Sequence, residues 1–133
     1  MAQRTTPADV GLLLLRAYAG GAMLLMHGWG KLLSFPEKAS SFPDPLGVGS
    51  PVSLGLAVFA EVVCAALIVA GAFTRLAAVP LVVTMLVAGA IIHGGDPWAK
   101  KELAFTYAAV FACLLCTGPG ALSVDVRLRG KRG

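Results

Sequence analysis

Charge is scarce in this chain. Its 133 residues hold 11 Lys and Arg and 7 Asp and Glu, so charged side chains make up 14% of the sequence. A soluble domain carries about 25%. With 57% apolar residues and a mean hydropathy of +0.80, too few polar groups remain to cover a water-facing surface. The same composition excludes disorder, which needs low hydrophobicity and high net charge. Cysteine is also sparse, at three residues, which excludes a disulfide scaffold. There is no G-x-S-x-G elbow, no Ser/His/Asp order that suits a hydrolase and no glycine-rich phosphate loop. Nor is any basic segment interleaved with aromatics as a nucleic-acid surface would be, so no nucleic-acid partner is expected.

What is present is four long apolar runs: 10–33, 52–73 (broken only by Glu61), 76–92 and 103–117. A hydrocarbon core of ~30 Å needs roughly 17–25 helical residues. The first two runs suffice, the third is just long enough, and the fourth needs residues 99–102 to complete it. The expected architecture is therefore an all-α integral membrane four-helix bundle, a single domain with helices at about 10–33, 52–73, 76–92 and 99–117. Arg16 breaks the first run too early for a secretory leader, so it reads as a retained helix. The segment 34–51, with Pro36, Pro43, Pro45 and Pro51, is an outer loop able to cap the bundle. Residues 121–133 form a basic tail. Six Lys and Arg on the termini and the second connection, against four on the other two loops, put both termini in the cytoplasm of a multi-pass protein of the cell membrane. Trp29 and Trp98 sit by the outer loops, as interfacial anchors do. Pro80 is expected in the opening turn of the third helix.

Polar residues inside such helices are expensive, roughly 2.5–3.5 kcal/mol per charge at the bilayer centre. At 100° per residue, positions eleven apart nearly coincide. Arg16 and His27 thus share a stripe with Gly20 and Met23. Glu61, Cys64, Ile68 and Arg75 fall on one side of the second helix, and His93 joins Val82, Leu86 and Gly89 on the third. On the fourth, Glu102, Thr106, Ala109, Cys113 and Cys116 align. Axial rise places His27 and Glu61 at matching depths, and His93 and Glu102 near the outer ends. The expected site is an outer pocket in which His27 and Glu61 do the chemistry and Lys31, His93 and Glu102 bind substrate. Arg16 and Arg75 are expected to be structural, with Arg16 reaching Asp9 or snorkelling to the nearer surface.

Several chemistries fit that pocket. A quinone needs hydrogen-bond donors at its carbonyls and a proton path, which His27, Lys31 and Glu61 could supply. Two His and two Glu from four helices could hold a metal or a haem, although no local ligand motif marks a metal site. A Glu61–Lys31 or Glu61–His27 pair could instead only lock two helices, leaving the protein as an anchor for a redox or stress-response partner. Cys113-x-x-Cys116 reads as a pair of buried small apolar residues, because a lipid-buried helix disfavours a thiolate. The small-residue pairs Ala17/Gly21, Ala66/Ala70 and Ala108/Ala112 are expected packing seams, within the bundle or in a homo-oligomer.

The order and spacing of Arg16, His27-Gly28, Lys31, Glu61, Gly71, Thr74-Arg75, Glu102-Leu103, Tyr107, Gly118-Pro119-Gly120 and Ser123–Asp125 resemble the DoxX family of small bacterial membrane proteins. The resemblance implies a four-helix membrane bundle, often tied to oxidoreductase chemistry. One branch of that family is a subunit of a thiosulfate:quinone oxidoreductase, and other members are linked to thiol and metal stress. It therefore implies a quinone-linked oxidoreductase, or the membrane subunit of one, without fixing donor or acceptor.

Overall fold

A computed structural model describes residues 4–131. Among them every regular element is helical. The rod α1 spans Pro7–Leu33, and the one-turn helix α2 covers Phe35–Lys38. The rods α3 (Ser50–Ala70) and α4 (Thr74–Ile92) follow, then α5 (Trp98–Thr117) and the short α6 (Val124–Gly130). Three rods, α1, α3 and α4, are long and apolar enough to cross a membrane. The rod α5 has 20 residues, but Lys100, Lys101 and Glu102 fall within its first five.

Local sequence explains the ends. Thr6 caps α1 through a capping box: Asp9 N–H donates to the Thr6 hydroxyl, and the Asp9 carboxylate accepts from Thr6 N–H at 2.8 Å. Gly49-Ser50-Pro51 starts α3 with proline in the first turn. Gly71 ends α3 in the left-handed region, at φ 73°. Pro80 lies in the second turn of α4, not its first, because α4 begins at Thr74. The third run thus starts two residues earlier than its apolar content suggests.

The rods pack in a ring, α1 on α3, α3 on α4, α4 on α5, and α5 back on α1. Their common core is built from Ala19, Met23, Cys64, Ile68, Ala78, Leu81, Met85, Phe111 and Leu114. The outward faces stay apolar: Tyr18 is 79% exposed, Met26 77% and Leu76 72%. Such surface is not tolerated over so large an area in water, and it suits lipid.

Three rods contain π-helical turns: Met23–Gly28 in α1, Phe59–Cys64 in α3 and Ala88–Ile92 in α4. A π turn absorbs one extra residue and turns everything beyond it by about 100°. Regular-helix arithmetic therefore fails past these points. The close contact between α1 and α3 is made at the first two π turns, where Gly28 lies against the Glu61 carbonyl so tightly that a Cβ would collide with it. Of the seams inferred from sequence, Ala108 is buried in the bundle, whereas Ala17, Ala66 and Ala70 are exposed and Gly20 packs on Ala65 one residue along.

Opposite the π turns, residues 4–9 and 117–129 meet the α3–α4 turn. Arg16 is 1% exposed. It neither snorkels nor reaches Asp9, and its Nη2 donates to the Leu122 carbonyl at 2.7 Å. Asp9 is occupied by Thr6 and by Ala121 N–H at 2.8 Å. The Asp125 carboxylate accepts from the N–H groups of Phe73 (2.7 Å) and Thr74 (3.0 Å), so α6 caps the start of α4 from 51 residues away. Arg75 bridges to the end of α5, donating to the Cys116 carbonyl at 3.4 Å. A Cβ on Gly71 would overlap Arg16 Nη1 and stand 2.6 Å from Ser123 Cβ. Gly71→Ala should cost about 1–3 kcal/mol, from the left-handed backbone and the loss of room for the guanidinium. Gly11→Ala, at an open helical position, should be neutral or gain about 0.5–1 kcal/mol. Thermal unfolding in detergent micelles measures both, and equal melting temperatures for the two variants would refute the account.

Candidate functional site

All three π turns contribute to one cavity of about 530 Å³. His27 comes from the first, Phe59 and Glu61 from the second, Ala88 and Ile92 from the third. Its walls are mostly apolar, with Leu56, Val83, Met85 and Leu103 among them. Phe42, Pro45 and Leu46 of the 34–49 connection line it from outside, so that loop covers the cavity as its composition suggested.

The polar groups are concentrated at one wall. Glu61 is 1% exposed, and Lys31 Nζ donates to both of its carboxylate oxygens at 2.7 Å. Two short charge-assisted bonds in an apolar setting make this a strong tie between α1 and α3. The π turn before Lys31 resets the phase of α1 and brings its ammonium group to the same side as His27. His27 is half-buried and meets the Tyr107 ring edge-on, with centroids 5.5 Å apart at 83°. Tyr107 in turn stacks on Phe111 at 5.9 Å. His93 stands at the cavity edge, where its Nδ1 pairs with Asp96 at 2.8 Å. That contact, with Lys100 and Lys101 nearby, holds the Asp96 carboxyl below the usual range.

Four of the five residues expected in the pocket, His27, Lys31, Glu61 and His93, do line it. Glu102 does not: it is exposed, outside the cavity. The whole stripe chosen on the last long helix was the wrong face. Thr106, Ala109, Cys113 and Cys116 are exposed, and Ala108, Phe111 and Leu114 are buried. Thr106 satisfies its hydroxyl on the Glu102 carbonyl of its own helix at 2.9 Å, so it carries no need to face inward. Cys113 and Cys116 are free thiols at the surface rather than in the core, whereas Cys64 is a free buried thiol. On α4 the buried line is Ala78, Leu81, Met85 and Gly89, and Leu86 points out. Tyr107 was missed as a site residue. The signal for it lay in the Ala104, Tyr107, Ala108, Phe111 spacing, a three-and-four apolar face with one phenol in it.

Among the described residues, no three His, Cys, Asp or Glu side chains are grouped as a metal site requires.

These features define an integral membrane protein whose helices enclose a covered, mostly apolar cavity with an ion pair and a histidine in its wall. The DoxX family model matches residues 11–94, and the chain belongs to that family. The matched stretch carries His27, Lys31, Glu61 and His93, together with Arg16. A protein of Haemophilus influenzae, described as uncharacterized, is 34% identical over 110 residues, covering 77% of this chain and 80% of its own length. No solved structure matches the chain.

The cavity cover is itself tied by a carboxylate. Asp44 accepts from the Ser53 hydroxyl at 2.7 Å and from the N–H groups of Gly49 (2.8 Å) and Val48 (3.0 Å). These bonds, the Ser53 one foremost, hold the Asp44 carboxyl below its ordinary value. A carboxyl depressed in the folded state contributes order above its unfolded pKa, and that contribution is lost as pH falls through the folded value. Amide exchange in residues 42–49, taken relative to the intrinsic rate at each pH, should therefore be level from about pH 8 to pH 5 and rise only in stronger acid. Asp44→Asn should raise it already at neutral pH. A rise near about pH 6 in the wild type would assign control of the loop to another group.

Proposed function

We propose that the protein is a quinone-linked oxidoreductase, or the membrane subunit of one, with the α1–α3 cavity as its quinone site. The observation that carries this reading is the Lys31–Glu61 pair beside His27, set in the wall of an apolar cavity of about 530 Å³. The donor set fits the head group. Lys31 and His27 carry N–H donors for a carbonyl oxygen, and the apolar walls suit a hydrophobic tail. When bound, a quinone supplies two-electron, two-proton redox chemistry. Glu61 is the proton-exchanging group: it accepts from Lys31 and passes a proton to an oxygen that Lys31 and His27 hold. Tyr107 fixes the His27 ring, and His93 with Asp96 guards the entrance. The loop at Phe42 and Pro45 keeps water from the site.

In this reading four helices span the cell membrane and both termini lie in the cytoplasm. The lysine and arginine count supports that orientation, as does the gathering of residues 4–9, the 71–76 turn and 117–129 at one end. The cavity and Trp29 and Trp98 then face outward. Single cysteines at Ser41 and Gly130, in a chain without its native cysteines, should be labelled by an impermeant reagent outside and inside the cell, respectively. Labelling of position 130 but not 41 in intact cells reverses the orientation.

Glu61→Gln and His27→Ala in quinone-containing liposomes test the site. Each should lower electron transfer about 10²-fold or more, the scale of a lost proton-transfer group, while the fold and any partner are retained. Wild-type rates in both folded variants would leave the anchor reading instead. There the Lys31–Glu61 pair serves only to hold α1 to α3, and Glu61→Gln would disturb assembly.

A further inference from the structure

The opposite end of the protein holds a second cavity, of about 600 Å³, that the redox reading does not use. Arg4, Arg75 and Arg129 line it, from the start of the chain, from α4 and from α6. Among the described residues, none of the three pairs with a carboxylate. Arg75 has its guanidinium laid over Gly118, where a Cβ would stand 3.4 Å from Nε, and its one hydrogen bond is the long contact to Cys116.

The two acids in the same cavity are already engaged. Asp9 accepts from Thr6 and Ala121, and Asp125 accepts from Phe73 and Thr74. Both are fixed by backbone N–H groups rather than by the arginines. Behind them, Arg16 adds a further positive charge at 1% exposure, and its Nε and Nη1 have no hydrogen-bond partner.

A second, separate sign lies in the cavity wall. Thr74 lines it, is 1% exposed, and its Oγ1 has no hydrogen-bond partner. A buried hydroxyl left unpaired costs about 1–3 kcal/mol, so an unfilled acceptor or donor there is unusual in a settled fold. Thr74 shares the cavity wall with three arginines, which outnumber its two carboxylates, Asp9 and Asp125. That set suits an oxyanion with several oxygens: forked guanidinium donors from two sides and a hydroxyl at the base. Phe73, Leu76 and Val126 add an apolar flank, and Phe73 and Leu76 are largely exposed.

We infer that this cavity binds a phosphate group through Arg4, Arg75, Arg129 and the Thr74 hydroxyl. The phosphate comes from an anionic membrane lipid or from water, and the apolar flank suits the lipid. The site joins the described N-terminal residues, the α3–α4 turn and α6, so an occupant would knit together three segments that only short polar contacts now hold. It is independent of the quinone reading, being at the other end of the protein.

The test uses the full chain in detergent micelles and ³¹P NMR titration with three probes: inorganic phosphate, short-chain phosphatidylglycerol and short-chain phosphatidylcholine. Phosphatidylglycerol should bind, with phosphatidylcholine at least about 10-fold weaker, since the choline cation meets arginines. Binding should weaken with salt, as arginine–phosphate contacts near a surface do. The double variant Arg75→Gln, Arg129→Gln should lose about 10-fold or more in affinity, and Arg75→Lys, Arg129→Lys should keep most of it. Thr74→Val should weaken binding several-fold. Binding of phosphatidylglycerol but not inorganic phosphate assigns the site to lipid, and equal or tighter binding of inorganic phosphate assigns it to a soluble phosphate. Both outcomes support the site. The inference is overturned if neither anion binds, if phosphatidylcholine binds as well as phosphatidylglycerol, or if binding is indifferent to salt. Unchanged affinity in the glutamine variant overturns it as well. Arg75 and Arg129 are exposed, so that variant should fold, and an unchanged melting temperature checks it.

Discussion

A carboxylate and an ammonium group facing each other in an apolar interior hold two helices together more selectively than any hydrocarbon contact. Lipid tails are as apolar as leucine, so burying Leu81 or Phe111 against a neighbour gains little over burying it in the bilayer. The Lys31–Glu61 pair has no such alternative partner in lipid. Separating it leaves Glu61, almost wholly buried, without its two 2.7 Å bonds. The close approach of Gly28 to the Glu61 carbonyl lies beside it, as does the wall of the cavity where His27 and Tyr107 meet. The remaining rods arrange themselves around that pair through small-residue packing at Ala60, Ala65, Ala77 and Ala78.

The other end of the protein uses a different device for the same purpose. There the turn at 71–74 is bound by backbone and carboxylate contacts rather than by a charge pair. Asp125 supplies the cap that Phe73, in the left-handed region at φ 49°, does not provide with its own side chain. Asp125 N–H also donates to the Gly71 carbonyl at 2.9 Å. Arg16 fills the space that the missing Gly71 side chain leaves. The two ends are thus fixed independently, and the apolar middle is left to adjust its packing between two polar locks.

Much of this was legible in the residues. Composition and run length give the membrane class and the four long rods. The cost of burying charge leads from Glu61 and His27 to one wall, and four- and seven-residue spacing puts Arg16, Gly20 and Met23 on a shared buried stripe, as found. Three kinds of information were not legible. Polar side chains can be satisfied at a helix end or on their own helix, so the stripe of Glu102 and Thr106, and both cysteines aligned with it, faces outward. Tertiary caps join residues far apart in the chain, so Asp125 and Leu122 could not be matched to Phe73 and Arg16. Wide turns leave no mark in hydropathy, so the register beyond Met23, Phe59 and Ala88 is lost to any calculation at a constant angle.

Those wide turns carry a consequence for how the site can be lost or acquired. Each π turn is one residue of surplus length inside an otherwise regular rod. Removing a single residue from Met23–Gly28 or Phe59–Cys64 would let the rod relax to an ordinary α-helix, with its hydrogen bonds restored and the phase and span of its two halves nearly unchanged. Both halves would keep their packing, and the change would be confined to the turn that presents His27 and Gly28, or Glu61, to the facing rod. The protein's chemistry and its ability to sit in a membrane are therefore separable by length alone.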